Sequence, residues 1–235
     1  MGRAFEFRKA RKMKRWSAMS KAFTRIGKDI VMAVKEGGPD QNSNSKLRAV
    51  IQNAKSINMP KDNIERAIKR ASDKSLGSYK EILFEGYAPG GIAVLVETAT
   101  DNNTRTVANI RSYFNKYNGN LGTSGSVAFM FDHTCNFKIN TDDIDIEKLE
   151  FDLIDFGAEE VFKEDDKIFI YGSFDNFGGI QKGLESMNLE IISSGFDRIP
   201  KNLKKVNDDE KIEIENLLQK IENDDDVQNV FHNMH

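Results

Sequence analysis

The sequence predicts an α+β chain: an N-terminal three-helix bundle, followed by two α/β domains of which one is inserted in the other. Three observations carry this. Apolar residues recur every three or four positions through about the first 72 residues, the spacing of helices with one buried face. From Tyr79 the apolar period shortens to two, as in strands with one face inward. Residues 133–199 then give the self-contained order strand, helix, strand, strand, helix, strand, which is the ferredoxin-like unit.

Taken in order, the first helix carries an apolar seam of Met13, Trp16, Met19, Phe23, Ile26, Ile30 and Ala33/Val34. Gly37-Gly38 stop it and Pro39 prevents its resumption. The pattern fits one long helix, or an arm and a helix divided at Trp16-Ser17 with Ser17 as cap. A second helix begins near Asn44-Ser45 and turns Leu47, Val50, Ile51 and Ala54 inward. A third follows Asn58-Met59, with Pro60 in its first turn, Asp62 set for the macrodipole, and Ile64, Ala67, Ile68 and Ala71 inward. Ser72–Ser78 reads as the linker that closes a first domain at 1–78.

Beyond it, 79–87 and 92–100 form a hairpin around Ala88-Pro89-Gly90-Gly91. Asp101-Asn102-Asn103-Thr104 cap a helix bearing Val107, Ile110, Phe114 and Tyr117, which ends at Asn118-Gly119. A short strand is expected at 126–131. The inserted domain reads as strand 136–140, helix 146–156, strands 159–163 and 167–172, helix 176–187 and strand 189–197. The tail gives strand 202–206, helix 208–222 and strand 227–231. It completes the segment 79–132, so the middle domain is 79–132 plus 200–235. The expected fold is thus a helical bundle and two ferredoxin-like α/β domains.

Composition narrows the function. Apolar residues make up 39% of 235, enough for real cores, and the longest strongly apolar run is Ile92–Val96, far short of a membrane span. The basic N-terminus leads into no apolar stretch of a secretory signal. One cysteine, Cys135, excludes an internal disulfide and a multi-cysteine zinc site. The expected setting is the cytosol, without membrane contact. The net charge of −3 conceals a segregation: residues 1–78 hold 19 Lys/Arg against 7 Asp/Glu, a net of +12. Residues 133–199 stand at −10, and 79–132 with 200–235 at −5. Such an asymmetry fits a polyanion-binding module joined to acidic domains that are placed to meet a protein partner. It also fits a basic module that docks on the acidic part of its own chain or of a second copy.

The densest basic run is Arg3, Arg8, Lys9, Arg11, Lys12, Lys14 and Arg15, with only Glu6 against it. In a helix, Arg8, Arg11, Lys12 and Arg15 share one face, as phosphate neutralisation requires. A solvated arm or a membrane-surface helix gives the same pattern. Phe5, Phe7 and Trp16 lie nearby and suit packing or base stacking. Arg25 and Lys28 continue the series, and the third helix adds Lys61, Arg66, Lys69 and Arg70 opposite its apolar stripe. A basic helix in a three-helix bundle suits a nucleic-acid groove, and equally a solvated face.

Signals of catalysis are weak. His133 and Cys135 share one side of a strand without an adjacent orienting group. His232 and His235 fall in what reads as a frayed C-terminus. Asp142-Asp143-x-Asp145-x-Glu147 lacks the mid-loop glycine of a calcium loop and suits a helix cap. Asp224-Asp225-Asp226 reads as a solvated turn, and the glycines of Gly86–Gly91 suit a tight hairpin. No Walker A, GxGxxG or HExxH pattern occurs. The expectation is a non-enzyme with no cofactor and no metal.

Several blocks together resemble the YebC/PmpR family: Lys35-Glu-Gly-Gly38, Asn44-Ser-Lys-Leu-Arg48, Asn58-Met-Pro-Lys-Asp-Asn-Ile-Glu-Arg-Ala-Ile68, Glu85-Gly-Tyr-Ala-Pro-Gly-Gly91, Thr100-Asp-Asn-Asn-Thr-Arg-Thr106 and Gly125-Ser-Val127. The resemblance implies a basic helical domain and two α/β domains, and a cytoplasmic, DNA-binding transcriptional regulator. For some relatives it implies instead a translation factor, working at the ribosome and its RNA on proline-rich stretches. The family's common opening, Gly-His-Ser-Lys-Trp, is replaced by Gly2-Arg-Ala-Phe-Glu-Phe-Arg8, which keeps the charge.

Overall fold

Helix α1 runs unbroken from Arg3 to Gly37. The computed structural model describes the backbone of residues 3–73, 77–141 and 144–235, and side chains in those ranges from residue 19 on. The division considered at Trp16-Ser17 does not occur, because no Gly or Pro lies between Arg3 and Ile26 and one serine does not outweigh a run of good helix formers. The Met13 and Trp16 side chains, and residues 74–76 of the linker, lie outside the described residues. The chain divides into two compact units, Met1–Tyr79 and Lys80–His235.

In the first unit, α2 (Ser45–Ser56) and α3 (Lys61–Ser72) both pack on α1. Ile30, Ala33, Val34, Leu47, Ile51, Ala54, Met59 and Ile64 form the core. Asn44 governs the turn between α1 and α2. Its buried side chain accepts from Leu47 N at 2.9 Å and donates to Ala33 O and Gly38 O, each at 2.8 Å. Gly37 is required by this arrangement, since a Cβ there would stand 2.7 Å from Asn44 Nδ2. Pro60 sits at the N-cap of α3, one position before the first turn, and its carbonyl accepts from the Asn63 and Ile64 amides.

The second unit contains two antiparallel four-stranded sheets. The first is built from β1 (Lys80–Ala88), β2 (Ile92–Thr100), β3 (Asn120–Leu121) and, from the tail, β8 (Val227–His232). Its order is β3-β1-β2-β8. Helices α4 (Asn103–Lys116) and α7 (Asp208–Glu222) cover one face through Ile110, Phe114, Ile214, Leu217 and Ile221. Val127 and Phe131 cover Ala93 and Leu95 on the other. With both faces of β2 packed, its sequence is an apolar run instead of an alternation.

The second sheet takes β4 (Phe131–Asn140), β5 (Ala158–Glu164), β6 (Lys167–Ser173) and β7 (Ile191–Pro200) in the order β5-β6-β4-β7. Helices α5 (Ile146–Ile154) and α6 (Phe177–Ser186) lie on one face, over Phe137, Ile139, Ile168 and Ile170. This is the ferredoxin-like order. The first sheet shares the two-layer build with a different strand order, because a tight turn, Pro89–Gly91, joins β1 to β2 where a ferredoxin-like unit has a helix.

Four local expectations are corrected. The strand expected at 126–131 forms only at its last residue, Phe131, where β4 begins; the segment before it turns through Ala128–Met130 because the Glu85 carboxylate claims the Val127 and Ala128 amides. Glu85, 3% exposed, accepts from Gly125 N at 2.6 Å and from Val127 N and Ala128 N, both at 2.8 Å. The strand expected at 202–206 reduces to one bridge between Lys204 and Met234. The C-terminus is pinned instead of frayed: Asn233 Oδ1 accepts from Ala93 N, and the His235 amide donates to Lys204 O. His232 lies in β8, where burial holds its imidazole pKa below the ordinary value, and its Nδ1 accepts from Met234 N. Finally, Asp226 is buried, not solvated. The Thr100 and Thr106 hydroxyls and the Arg105 guanidinium donate to its Oδ2 at 3.2, 2.9 and 2.7 Å.

Burial alone would raise the Glu85 pKa, but the three amides and the charge of Arg198 outweigh it and hold the group below 4.5. A lowered folded value gives stability that is full above the ordinary pKa and is lost as pH falls through the folded one. Glu85→Gln is therefore expected to lower unfolding free energy at pH 7 by about 2–3 kcal/mol. In urea titrations the gap should narrow below pH 4.5; a gap that stays constant down to pH 3 would contradict the assignment.

Candidate nucleic-acid interface

The apolar stripe of α3 faces α1, which leaves Lys61, Arg66, Lys69 and Arg70 exposed with Asp62 and Glu65 between them. Their freedom differs. Lys61 pairs with Glu65 at 3.4 Å across one turn, a surface contact of small energy. Arg66 folds onto its own helix, donating from Nε to Asp62 O at 3.1 Å and from Nη2 to Asn63 Oδ1. Lys69 and Arg70 have no partner among the described residues, and the last turn of α3 gives them a favourable dipole. An anionic ligand meets these two ammonium and guanidinium groups at the lowest cost.

The remaining predicted contacts separate. Lys28 is buried at 7% exposure, with Nζ 5.1 Å from the centre of the Tyr79 ring. A phosphate cannot reach it there, so this residue departs from the expected exposed series. The helical period sets it away from the seam of Phe23, Ile26, Ile30 and Val34, so spacing gives no sign of this burial, to which the Tyr79 ring contributes. Arg25 is half-buried. Arg3, Arg8, Lys9, Arg11, Lys12, Lys14 and Arg15 lie along α1, and their side chains fall outside the described residues.

Sequence reasoning overlooked the cations that build the bundle. Arg48 Nη1 donates to Gln41 O and Asn42 O at 3.0 and 3.3 Å, and Lys35 Nζ donates to Asp73 O at 2.7 Å. The first holds the α1–α2 turn and the second ties α1 to the end of α3. Each contact spans a turn or two helices, and the residue spacing alone gives no sign of it.

The weaker chemical candidates find structural roles. Cys135 is buried and its Sγ donates to Ser173 O at 3.2 Å; burial pushes its thiol pKa up to about 11, away from a reactive thiolate. His133 stacks on Phe174 at 4.0 Å, and burial lowers its pKa. Asp145 caps α5 by accepting from Lys148 N, whereas Asp142 and Asp143 lie outside the described residues. Among the described residues no group of three or more His, Cys, Asp or Glu side chains is placed to hold a metal ion, and no helix is long and apolar enough to cross a membrane.

Comparison with known proteins places this architecture. Residues 3–74 match the model of the TACO1/YebC protein N-terminal domain, and residues 79–234 that of the TACO1/YebC second and third domain. A "Probable transcriptional regulatory protein" of Flavobacterium johnsoniae is 69% identical over 234 residues, spanning 100% of this chain and 99% of its own. One of Parabacteroides distasonis is 57% identical over 235 residues, spanning 100% and 97%. The crystal structure of a conserved hypothetical protein from Aquifex aeolicus matches with a TM-score of 0.77 at 33% identity, over 92% of this chain and 90% of that one.

Two replacements distinguish the exposed cations from the buried one. Changing Lys69 and Arg70 together to Ala is expected to flatten the slope of log K against log salt by about 2 for duplex DNA, from roughly 0.9 per phosphate contact. Lys28→Met should leave the slope unchanged and alter the melting temperature instead. An equal loss of slope in Lys28→Met would reverse the assignment.

Proposed function

Because the chain belongs to the TACO1/YebC family, we propose that it is a non-enzymatic, cytosolic regulator of transcription that binds DNA through residues 1–78. In this reading 79–132 with 200–235, and the inserted 133–199, are acidic domains that take no part in phosphate contact. The observation that carries it is the charge segregation: a net of +12 in 1–78 against negative values in every later segment. The names of the relatives and the unpaired Lys69 and Arg70 support the same reading.

Phosphate contacts dominate such binding and carry no sequence information. If about 6–8 of the basic residues meet phosphates, log K falls against log salt with a slope near −5 to −7. Replacing Arg8, Arg11 and Arg15 by Ala should flatten this by about 3 and weaken all sequences alike. Replacing Arg66 and Arg70 tests groove reading, since a loss confined to one preferred sequence would mark base-edge contacts worth ~1–3 kcal/mol each. A slope near zero in the unmodified protein would refute phosphate binding. Binding to ribosomes without binding to free duplex at low salt would replace the transcriptional reading with one in translation.

A further inference from the structure

Among the described residues of the second unit, helices α5 and α6 lie on one face of the second sheet. On the other, strand alternation presents Lys138 of β4, Glu160, Phe162 and Glu164 of β5, and Phe169 and Tyr171 of β6. None of the three rings belongs to a buried core, and all are half-exposed. Phe162 stands between the other two, its ring centre 5.6 Å from that of Phe169 and 6.0 Å from that of Tyr171, with planes within 15° and 9° of parallel. The row already holds one cation, since Lys138 Nζ lies 5.1 Å from the centre of Phe169.

Its border is acidic. Glu160 faces Tyr171 in register and Glu164 faces Lys167, both carboxylates exposed. Asp197, on β7 beyond β4, accepts from Asn136 Nδ2 at 2.6 Å. Burial, then the charges of Asp197, Glu160 and Glu164, raise the Tyr171 pKa above 10, so these carboxylates project a negative potential onto the ring row. Exposed rings receive either flat cations or unpaired bases. A phosphate backbone would have to approach a segment of net charge −10, against the attraction that nucleic-acid binding draws on.

We propose that this sheet face docks an arginine- or lysine-bearing peptide segment of a partner protein, the rings receiving the cations and Glu160, Glu164 and Asp197 supplying the opposite charge. It stands apart from the DNA-binding reading, which rests on residues 1–78.

The test uses the full-length protein and fluorescence anisotropy, with an (Arg-Gly)6 peptide, a (Glu-Gly)6 peptide and a single-stranded oligonucleotide as probes. Replacing Phe162, Phe169 and Tyr171 together by Leu keeps the bulk and removes the ring faces. It is expected to weaken the arginine peptide about tenfold, as the loss of two or three cation–π contacts requires, with oligonucleotide affinity unchanged. Phe151→Ala, at a 76% exposed ring on α5, serves as the control and should change nothing. If the triple variant loses its native circular dichroism, Tyr171→Leu alone should weaken the peptide about threefold. Peptide binding that ignores the rings and follows only Glu160→Gln/Glu164→Gln would overturn the proposal. So would an oligonucleotide affinity that falls with the rings.

Discussion

A carboxylate removed from water is stable only where the chain supplies donors, and Glu85 draws three from a single turn. The turn between β3 and β4 closes around that carboxylate through Gly125, Val127 and Ala128. The Glu85 carbonyl accepts from Gly122 N at 2.7 Å, and the neighbouring Tyr87 hydroxyl donates to Ser126 O at 3.1 Å. Gly86 has no room for a side chain, because a Cβ would stand 2.7 Å from both Asn120 O and the Phe114 ring. The turn so fixed delivers Val127 and Phe131 onto the outer face of the first sheet. Phe131 is also the first residue of β4, so the same contact sets where the second sheet begins.

The blocks that carry the family resemblance turn out to be clamps of this kind. Asn44 and Gly37 close the α1–α2 turn, and Asn58 adopts a left-handed φ of 58° between α2 and α3. Thr100, Arg105 and Thr106 converge on Asp226 from a segment more than a hundred residues distant. Asp224 beside it accepts from Asn109 and Tyr113, and the Tyr113 hydroxyl is pushed up to about 12 by burial and by that carboxylate.

Periodicity made most elements legible. Helix α7, expected at 208–222, spans Asp208–Glu222, and the first hairpin is misplaced by one residue at its start. Patterns failed where a distant polar partner decided the local shape. The apolar run Val127–Phe131 reads as a strand, yet the amides of Val127 and Ala128 belong to Glu85. Asp224–Asp226 has the composition of a solvated turn, yet Thr106 and Tyr113 reach it from another helix. The candidate interface is legible as charge density but not as accessibility: Lys28 and Lys69 look alike in sequence, and only packing buries one against Tyr79.

The placement of β8 beside β2 has a consequence for how the chain is made. Ala93 meets Asn233 across 140 residues of sequence, and α7 completes the core under β1 and β2. During synthesis from the N-terminus, the bundle and then the β4–β7 sheet each have all their strands or helices in hand before the tail exists. The first sheet does not. Its β2, apolar on both faces, must wait with one edge unpaired until β8 emerges, and closing so long a loop is slow. Chaperone contact in the cell is therefore expected to concentrate on Ile92–Val96, a segment that the finished protein hides completely.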